Sequence, residues 1–213
     1  MLHTGFGKSR DGITTISIIL VTTLVFIIQG GYEPATGLLS LNPIMALSGS
    51  YWQFITYLFV HGSVAHLVIN MFGLLIFGFL VEKSLGVKKY LALYFLSGIG
   101  SAVIHILITG ISDIILLGAS GAVFGVLTAF AVLYPDVKLM VFPIPMPISA
   151  KFIVIGFILI SLFLGVTNIF NDNIAYFGHL GGILSGLAIT YVFRRGEKKD
   201  EFNFPKDVDF FWQ

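Results

Sequence analysis

The sequence contains no cysteine and few charged residues. Of its 213 residues, 11% are charged and 56% are hydrophobic, whereas soluble domains are about 25% charged. The absence of cysteine excludes disulfides, thiolate metal sites and a cysteine nucleophile. A formal net charge of +1 offers no argument for nucleic acid as a partner. Together with a mean hydropathy of +0.95, this composition indicates an integral membrane protein with a single domain.

Six apolar segments are long enough to cross a membrane, since a spanning helix needs about 20 mostly apolar residues. The predicted spans are approximately residues 13–30, 64–83, 88–109, 119–135, 150–170 and 175–194. No small-residue cleavage site follows the first segment, which we therefore expect to be retained as a span. Residues 142–149 alternate proline and are predicted to be a stiff non-helical connection. We predict an all-α, polytopic bundle over residues 1–195 and a cytoplasmic tail over 196–213.

The positions of lysine and arginine predict the orientation of this bundle. The connections 31–63, 110–118 and 171–174 contain neither residue, and a six-span count places all twelve basic residues on one side. These residues are Lys8, Arg10, Lys83, Lys88, Lys89, Lys138, Lys151, Arg194, Arg195, Lys198, Lys199 and Lys206. Five or seven spans would break that agreement. Both termini are therefore predicted to be cytoplasmic and the 31–63 connection to face outward.

Three polar clusters begin the second, fourth and sixth spans, which all run inward. They contain His66, Ser120 and His179, so the direction of the chain predicts that all three share one depth near the outer face. Ionisable groups at membrane depth are costly, and each is a functional hypothesis by default.

Ser120 lies within Gly118-Ala-Ser-Gly121 at the start of a predicted helix. A serine hydroxyl needs a base to become a good nucleophile, and free amides at a helix start can bind an oxyanion. The flanking glycines let a substrate backbone approach closely. The alternative is that these small residues only permit tight helix packing. The motif is not the Gly-x-Ser-x-Gly elbow of soluble hydrolases, because residue 122 is alanine.

His179 is the only histidine after the third span and the candidate base for the serine. Gly121 with Gly125, and Gly182 with Gly186, form small faces on spans four and six that allow close backbone approach. Packing these faces together would bring the serine hydroxyl within hydrogen-bond reach of the His179 ring. The alternative is a histidine that only links two helices.

His66 and Asn70 are four residues apart, which places both on one helix face. Their N–H groups could add donors to an oxyanion site. Alternatively, Asn70 binds a neighbouring helix and His66 lies at the interface. His61 and His105 are predicted to be structural, with His105 a buried histidine whose hydrogen bonds are satisfied.

A metal site is an alternative role for the histidines. His61, His66 and His179 could in principle bind zinc, but His-Glu-x-x-His is absent and the only acid near them is Asp172. We expect neither a metal nor a cofactor.

Taken together, these motifs resemble the rhomboid family of intramembrane serine proteases. The resemblance runs from Trp52 to about Gly186. It comprises Trp52-Gln53, His61-x4-His66-x3-Asn70, Glu82-Lys-Ser-Leu-Gly86, Gly118-Ala-Ser-Gly121, and His179 with Gly182 and Gly186. It implies a six-span rhomboid-like bundle.

The resemblance also implies roles for individual residues. Ser120 would be the nucleophile and His179 the general base, without an acidic third member. His66, Asn70 and the Ser120 amide would form the oxyanion hole, with Gly118, Gly121, Phe124 and Gly182 in support. The 31–63 connection would lie partly in the outer leaflet, and the fifth span with the loop before the sixth would form a lateral gate.

Two residues depart from the family pattern. Gln53 stands where many members carry arginine, whose hydrogen bonds a glutamine cannot fully replace. Phe124 stands where bacterial members often carry tyrosine, and it keeps the stacking face while losing the hydroxyl. We expect activity to survive both changes.

The predicted function is an intramembrane serine endopeptidase that cleaves single-span membrane proteins near the outer face. Its expected partners are transmembrane substrates and the lipid bilayer, and its expected location is a bacterial inner membrane. The alternative is a catalytically silent rhomboid-like protein that binds membrane helices. A transporter would require inverted repeats and broken helices near the midplane, and neither is seen.

Overall fold

The structure is a computed structural model that describes residues 12–32, 34–140, 146–167, 169 and 175–195. Its helices are α1 Ile13–Gly31, α2 Pro34–Leu39, α3 Pro43–Leu47, α4 Gln53–Thr56, α5 Val64–Gly73, α6 Phe79–Thr109, α7 Ser120–Leu133, α8 Ala150–Thr167 and α9 Tyr176–Arg195. A 3₁₀ turn, Tyr57–Phe59, follows α4, and a π-helical turn, Leu74–Gly78, joins α5 to α6. The predicted all-α, polytopic membrane class is confirmed. The predicted tail, 196–213, lies outside the described residues.

Four of the described helical segments are long and apolar enough to cross a membrane. They are Ile13–Gly31, Val64–Thr109, Ala150–Thr167 and Tyr176–Arg195, and α7 is apolar but shorter. The 46-residue segment covers two predicted spans. Its helical path is interrupted at Gly86, whose φ of 73° and ψ of 162° are not helical. The count of six crossings stays a prediction.

The centre of the bundle is formed by α6, α7 and α9, which pack against one another. Helix α7 is the most enclosed, with ten of its 14 residues buried. Its backbone touches that of α9 at two glycine pairs. A β-carbon at Gly186 would lie 2.6 Å from the α-carbon of Gly125, and one at Gly182 would overlap the carbonyl oxygen of Gly121. The two small faces therefore pack as the sequence predicted.

The connection between α1 and α5 is tied to the loop before α7. Leu41 and Leu116 exchange both main-chain hydrogen bonds, at 2.9 and 2.8 Å. Gln53 is fully buried, and its Oε1 accepts a hydrogen bond from the Asn42 amide at 3.0 Å. Its Nε2 donates to the Leu38 carbonyl at 3.4 Å. The glutamine thus braces the connection with both ends of its amide.

A buried carboxylate at the end of the second predicted span is bonded to the start of the first. Glu82 accepts hydrogen bonds from the amides of Thr14 and Thr15, at 2.9 and 2.8 Å, and from the Thr15 hydroxyl at 2.7 Å. These bonds satisfy free amides at the start of α1, where a negative charge is also favoured by the helix dipole.

A small hairpin between α7 and α8 was not predicted. Strand β1, Lys138–Met140, pairs antiparallel with β2, Pro147–Ser149, so part of the predicted proline-rich connection is a strand. Residues 141–145 lie outside the described residues. The strand was not predicted because proline lacks the main-chain amide that normally donates a hydrogen bond to the neighbouring strand. Pro147 is tolerated because it begins the strand of a two-stranded sheet.

The contact between α7 and α9 yields a stability prediction. Gly182→Ala should lower the free energy of unfolding by about 1–3 kcal/mol, because the added methyl group overlaps the Gly121 carbonyl and overpacking costs roughly that amount. Reversible unfolding in mixed micelles measures it. Gly156→Ala on α8 is the matched control, since no heavy atom lies within 4 Å of its added methyl group. Equal stabilities of the two variants would contradict this account of the contact.

Candidate active site

The two central residues of the candidate site lie on facing helices. Ser120 is the first residue of α7, and His179 lies in the first turn of α9. The Oγ of Ser120 and the Nε2 of His179 are 3.0 Å apart, within hydrogen-bond distance. Both side chains are half-buried. This geometry allows the imidazole to remove the hydroxyl proton directly.

Aromatic rings hold the His179 ring in place. The Phe124 ring, one turn after Ser120, lies 4.7 Å from the His179 ring between centroids, with an interplanar angle of 41°. Tyr176 meets the His179 ring edge-on at 6.2 Å. Phe124 also packs edge-on against Phe157 of α8 at 5.0 Å. Phe124 therefore provides the stacking surface without a hydroxyl group.

The loop before α7 lies against the His66 ring. Gly118 has a φ of 112°, a conformation that favours glycine. A β-carbon there would lie 2.6 Å from Cε1 and 2.8 Å from Nε2 of His66. The imidazole thus rests against the backbone two residues before the candidate nucleophile.

Asn70 joins this group through His66. Its Nδ2 donates to the His66 carbonyl at 2.9 Å, one helical turn earlier. That bond uses one of two hydrogens on the amide nitrogen, and the second can serve another acceptor. The neighbouring side chains Leu67 and Met71 pack against Ala119, which fixes α5 against the start of α7.

Helix α6 supports the site from behind. The Ser101 hydroxyl donates to the Gly178 carbonyl at 2.7 Å, and the Tyr57 hydroxyl donates to the Gly98 carbonyl at 2.7 Å. Gly121 lies directly against the Ser101 side chain. Sequence reasoning did not find Ser101. The feature that could have indicated its role is a serine on a helix that packs against two glycine-rich helices. Ordinary helix packing shows the same feature.

His61, in the connection between α1 and α5, contacts both the backbone before Ser120 and the His66 ring. Its Nε2 accepts a hydrogen bond from the Ala119 amide at 3.3 Å, and its ring meets the His66 ring edge-on at 4.9 Å. Burial, with a smaller effect of the His66 charge, lowers the pKa of His61 to about 4. The ring is therefore neutral at pH 7, as it must be to accept that bond.

The expectation that His105 is buried is confirmed, but the expectation that its hydrogen bonds are satisfied was wrong. The residue is buried, but its Nδ1 has no hydrogen-bond partner in the part of the chain that the structure describes. It lies behind α9, near Gly178, whose carbonyl already accepts the Ser101 hydroxyl. Sequence alone did not reveal this lack, since it depends on which groups the facing helix presents.

Comparison with known proteins identifies the family. A family model, the Rhomboid domain, matches residues 48–196, most of the chain. The chain belongs to the rhomboid family. The family acts on transmembrane proteins within the lipid bilayer, and it includes intramembrane serine proteases as well as inactive members. With its apolar helices, this chain is an integral membrane protein.

Several rhomboid proteins are similar to this chain. Rhomboid-like protease 3 of Toxoplasma gondii is 28% identical over 190 residues, covering 85% of this chain and 68% of that protein. Rhomboid protease GluP of Bacillus subtilis is 27% identical over 187 residues, covering 85% and 34%. RHOMBOID-like protein 6, mitochondrial, of Arabidopsis thaliana is 30% identical over 142 residues, covering 66% and 43%. The chain thus spans less than half the length of the last two.

The contact between Gly118 and His66 yields a second prediction. Gly118→Ala should slow the reaction of Ser120 with a fluorophosphonate by about tenfold or more, because small displacements in an active site have effects of that size. The rate is measured per folded molecule. Gly110→Ala is the matched control. It also has a positive φ, 82°, but its methyl group meets open space. Equal slowing in both variants would show that backbone strain, and not the His66 contact, is responsible.

Proposed function

We propose that this rhomboid protein is an intramembrane serine endopeptidase in which Ser120 is the nucleophile and His179 the general base. The observation that supports this proposal most strongly is the 3.0 Å approach of the Ser120 Oγ to the His179 Nε2. The pair lies where α6, α7 and α9 pack against one another. A side-chain pair of this kind is the minimum needed for acyl transfer through a serine.

The first half of the reaction forms an acyl-enzyme. His179 Nε2 takes the proton of the Ser120 hydroxyl as Oγ attacks the scissile carbonyl carbon. Negative charge then develops on the carbonyl oxygen, where the Ser120 amide, His66 and Asn70 donate hydrogen bonds. The carbon–nitrogen bond breaks, and the leaving amine takes the proton from His179.

Water completes the reaction. His179 removes a proton from a water molecule, whose oxygen attacks the ester carbonyl, and the same donors stabilise the second oxyanion. The ester bond breaks, Ser120 regains its proton from His179, and a carboxylic acid product leaves. Phe124 keeps the imidazole in one orientation throughout, because its ring covers one side of His179.

The proposed substrates are single-span membrane proteins with weak helices near the outer face. A helical substrate shields its carbonyl groups in backbone hydrogen bonds, so the cleaved segment must unwind before attack. The glycine-rich surroundings of Ser120 favour a small side chain at the cleaved position.

Ser120→Ala tests the nucleophile. Cleavage of a model single-span substrate in detergent should fall by at least about 10⁴-fold, as in other serine proteases that lose the nucleophile. Fluorophosphonate labelling should disappear with it. His179→Ala should have the same effect, whereas Ser17→Ala, a lipid-side serine bonded only within α1, should cleave normally. Unchanged cleavage by Ser120→Ala would overturn the assignment of the nucleophile. An unmodified protein that neither cleaves substrate nor reacts with the fluorophosphonate would instead favour a catalytically silent protein that binds membrane helices.

We further propose that the protein lies in a bacterial inner membrane with both termini cytoplasmic. Because the chain has no cysteine, single cysteines report topology without background. In intact bacteria, a membrane-impermeant maleimide should label Ser48→Cys, on the outward connection. Asp136→Cys, beside the hairpin, should be labelled only after permeabilisation. The opposite pattern would overturn the proposed orientation.

A further inference from the structure

A glutamine on α1 holds the main chain of His61 from both sides. The Oε1 of Gln29 accepts a hydrogen bond from the His61 amide at 3.1 Å, and its Nε2 donates to the His61 carbonyl at 3.3 Å. The same Nε2 lies 3.2 Å from the Thr36 hydroxyl. One side-chain amide therefore pairs with both main-chain groups of a residue 32 positions away. Such pairing fixes the position of that residue along two directions.

The side chain of His61 carries this constraint to the candidate site. Its Nδ1 faces the Phe59 carbonyl at 3.4 Å and its Nε2 accepts from the Ala119 amide at 3.3 Å, which assigns the proton to Nδ1. Ala119 immediately precedes Ser120. The same ring meets His66 edge-on. His61 is 2% exposed, so the ring cannot move without moving its neighbours.

We propose that Gln29 is a positioning residue of the active site, which acts through His61 on the Ala119–Ser120 backbone and on His66. This inference rests on the proposed peptidase function. Gln29 touches neither Ser120 nor His179, so it takes no part in the chemistry. Its effect arises because the oxyanion donors must lie at hydrogen-bond distance from the developing charge. A displaced His61 moves two of those donors at once.

Gln29→Met tests the proposal in the full-length protein. Methionine has a similar length but makes neither hydrogen bond to His61. We expect kcat for a single-span substrate to fall by about tenfold, since misplacements well below 1 Å already have measurable effects, while KM stays the same. Fluorophosphonate labelling of Ser120, measured per folded molecule, should slow in parallel. Thr22→Val is the matched control, because this buried α1 residue loses only a bond within its own helix.

A double-mutant cycle tests the route through His61. If Gln29 acts only by positioning His61, then Gln29→Met should cause no further loss of kcat in a His61→Phe background. Independent, multiplicative losses would overturn the proposal. If His61→Phe does not fold, Gln29→Glu replaces the cycle. Glutamate keeps an acceptor for the His61 amide but directs a carboxylate oxygen at the His61 carbonyl, so kcat should fall, and an unchanged kcat would overturn the proposal.

The outcomes separate this inference from the function on which it rests. An unmodified protein that neither cleaves substrate nor reacts at Ser120 would remove the proposed function. An active unmodified protein with an unchanged kcat in Gln29→Met, or with a change no larger than that of Thr22→Val, would overturn the role of Gln29 alone.

Discussion

The site depends on the contact between the backbones of α7 and α9. In lipid, apolar side chains provide little net drive for helix association, so close approach relies on packing and on hydrogen bonds. The facing glycine pairs of these helices bring the two main chains into direct contact. Only at that separation do Ser120 and His179, 59 residues apart, come within hydrogen-bond distance. A bulkier side chain at any of these glycines would part the helices and separate the pair.

The surrounding polar groups serve mainly to hold backbone segments. Ser101 and Tyr57 donate to carbonyls on α9 and α6, and His61 accepts the amide that precedes Ser120. Hydrogen bonds in a low-dielectric interior are strong, and a buried polar group without a partner costs free energy. Such bonds therefore hold segments in a single arrangement. This rigidity suits chemistry in which oxyanion donors must be in place before charge develops.

The two departures from the family pattern have different structural consequences. Gln53 retains a bracing role because its amide both donates and accepts, reaching Leu38 and Asn42. Phe124 retains the ring contact with His179 and makes a second one with Phe157 of α8. Hydrogen bonds therefore preserve the role of Gln53, and ring packing preserves that of Phe124. What is lost is the charge at one position and the hydroxyl at the other.

The sequence by itself determined the class of protein, the common level of the polar clusters and the faces on which α7 and α9 meet. These follow from composition, chain direction and helical spacing, which are local properties. Only the tertiary structure decided how His61, Ser101 and Gln29 are used, and that His105 lacks a partner for its Nδ1 within the described residues. The strand at 147–149 likewise depended on partner residues seven to eleven positions earlier in the chain. The physical reason is that a hydrogen bond requires its two groups to meet. Periodicity along one helix tells which face a group occupies, but not which group of another segment lies opposite.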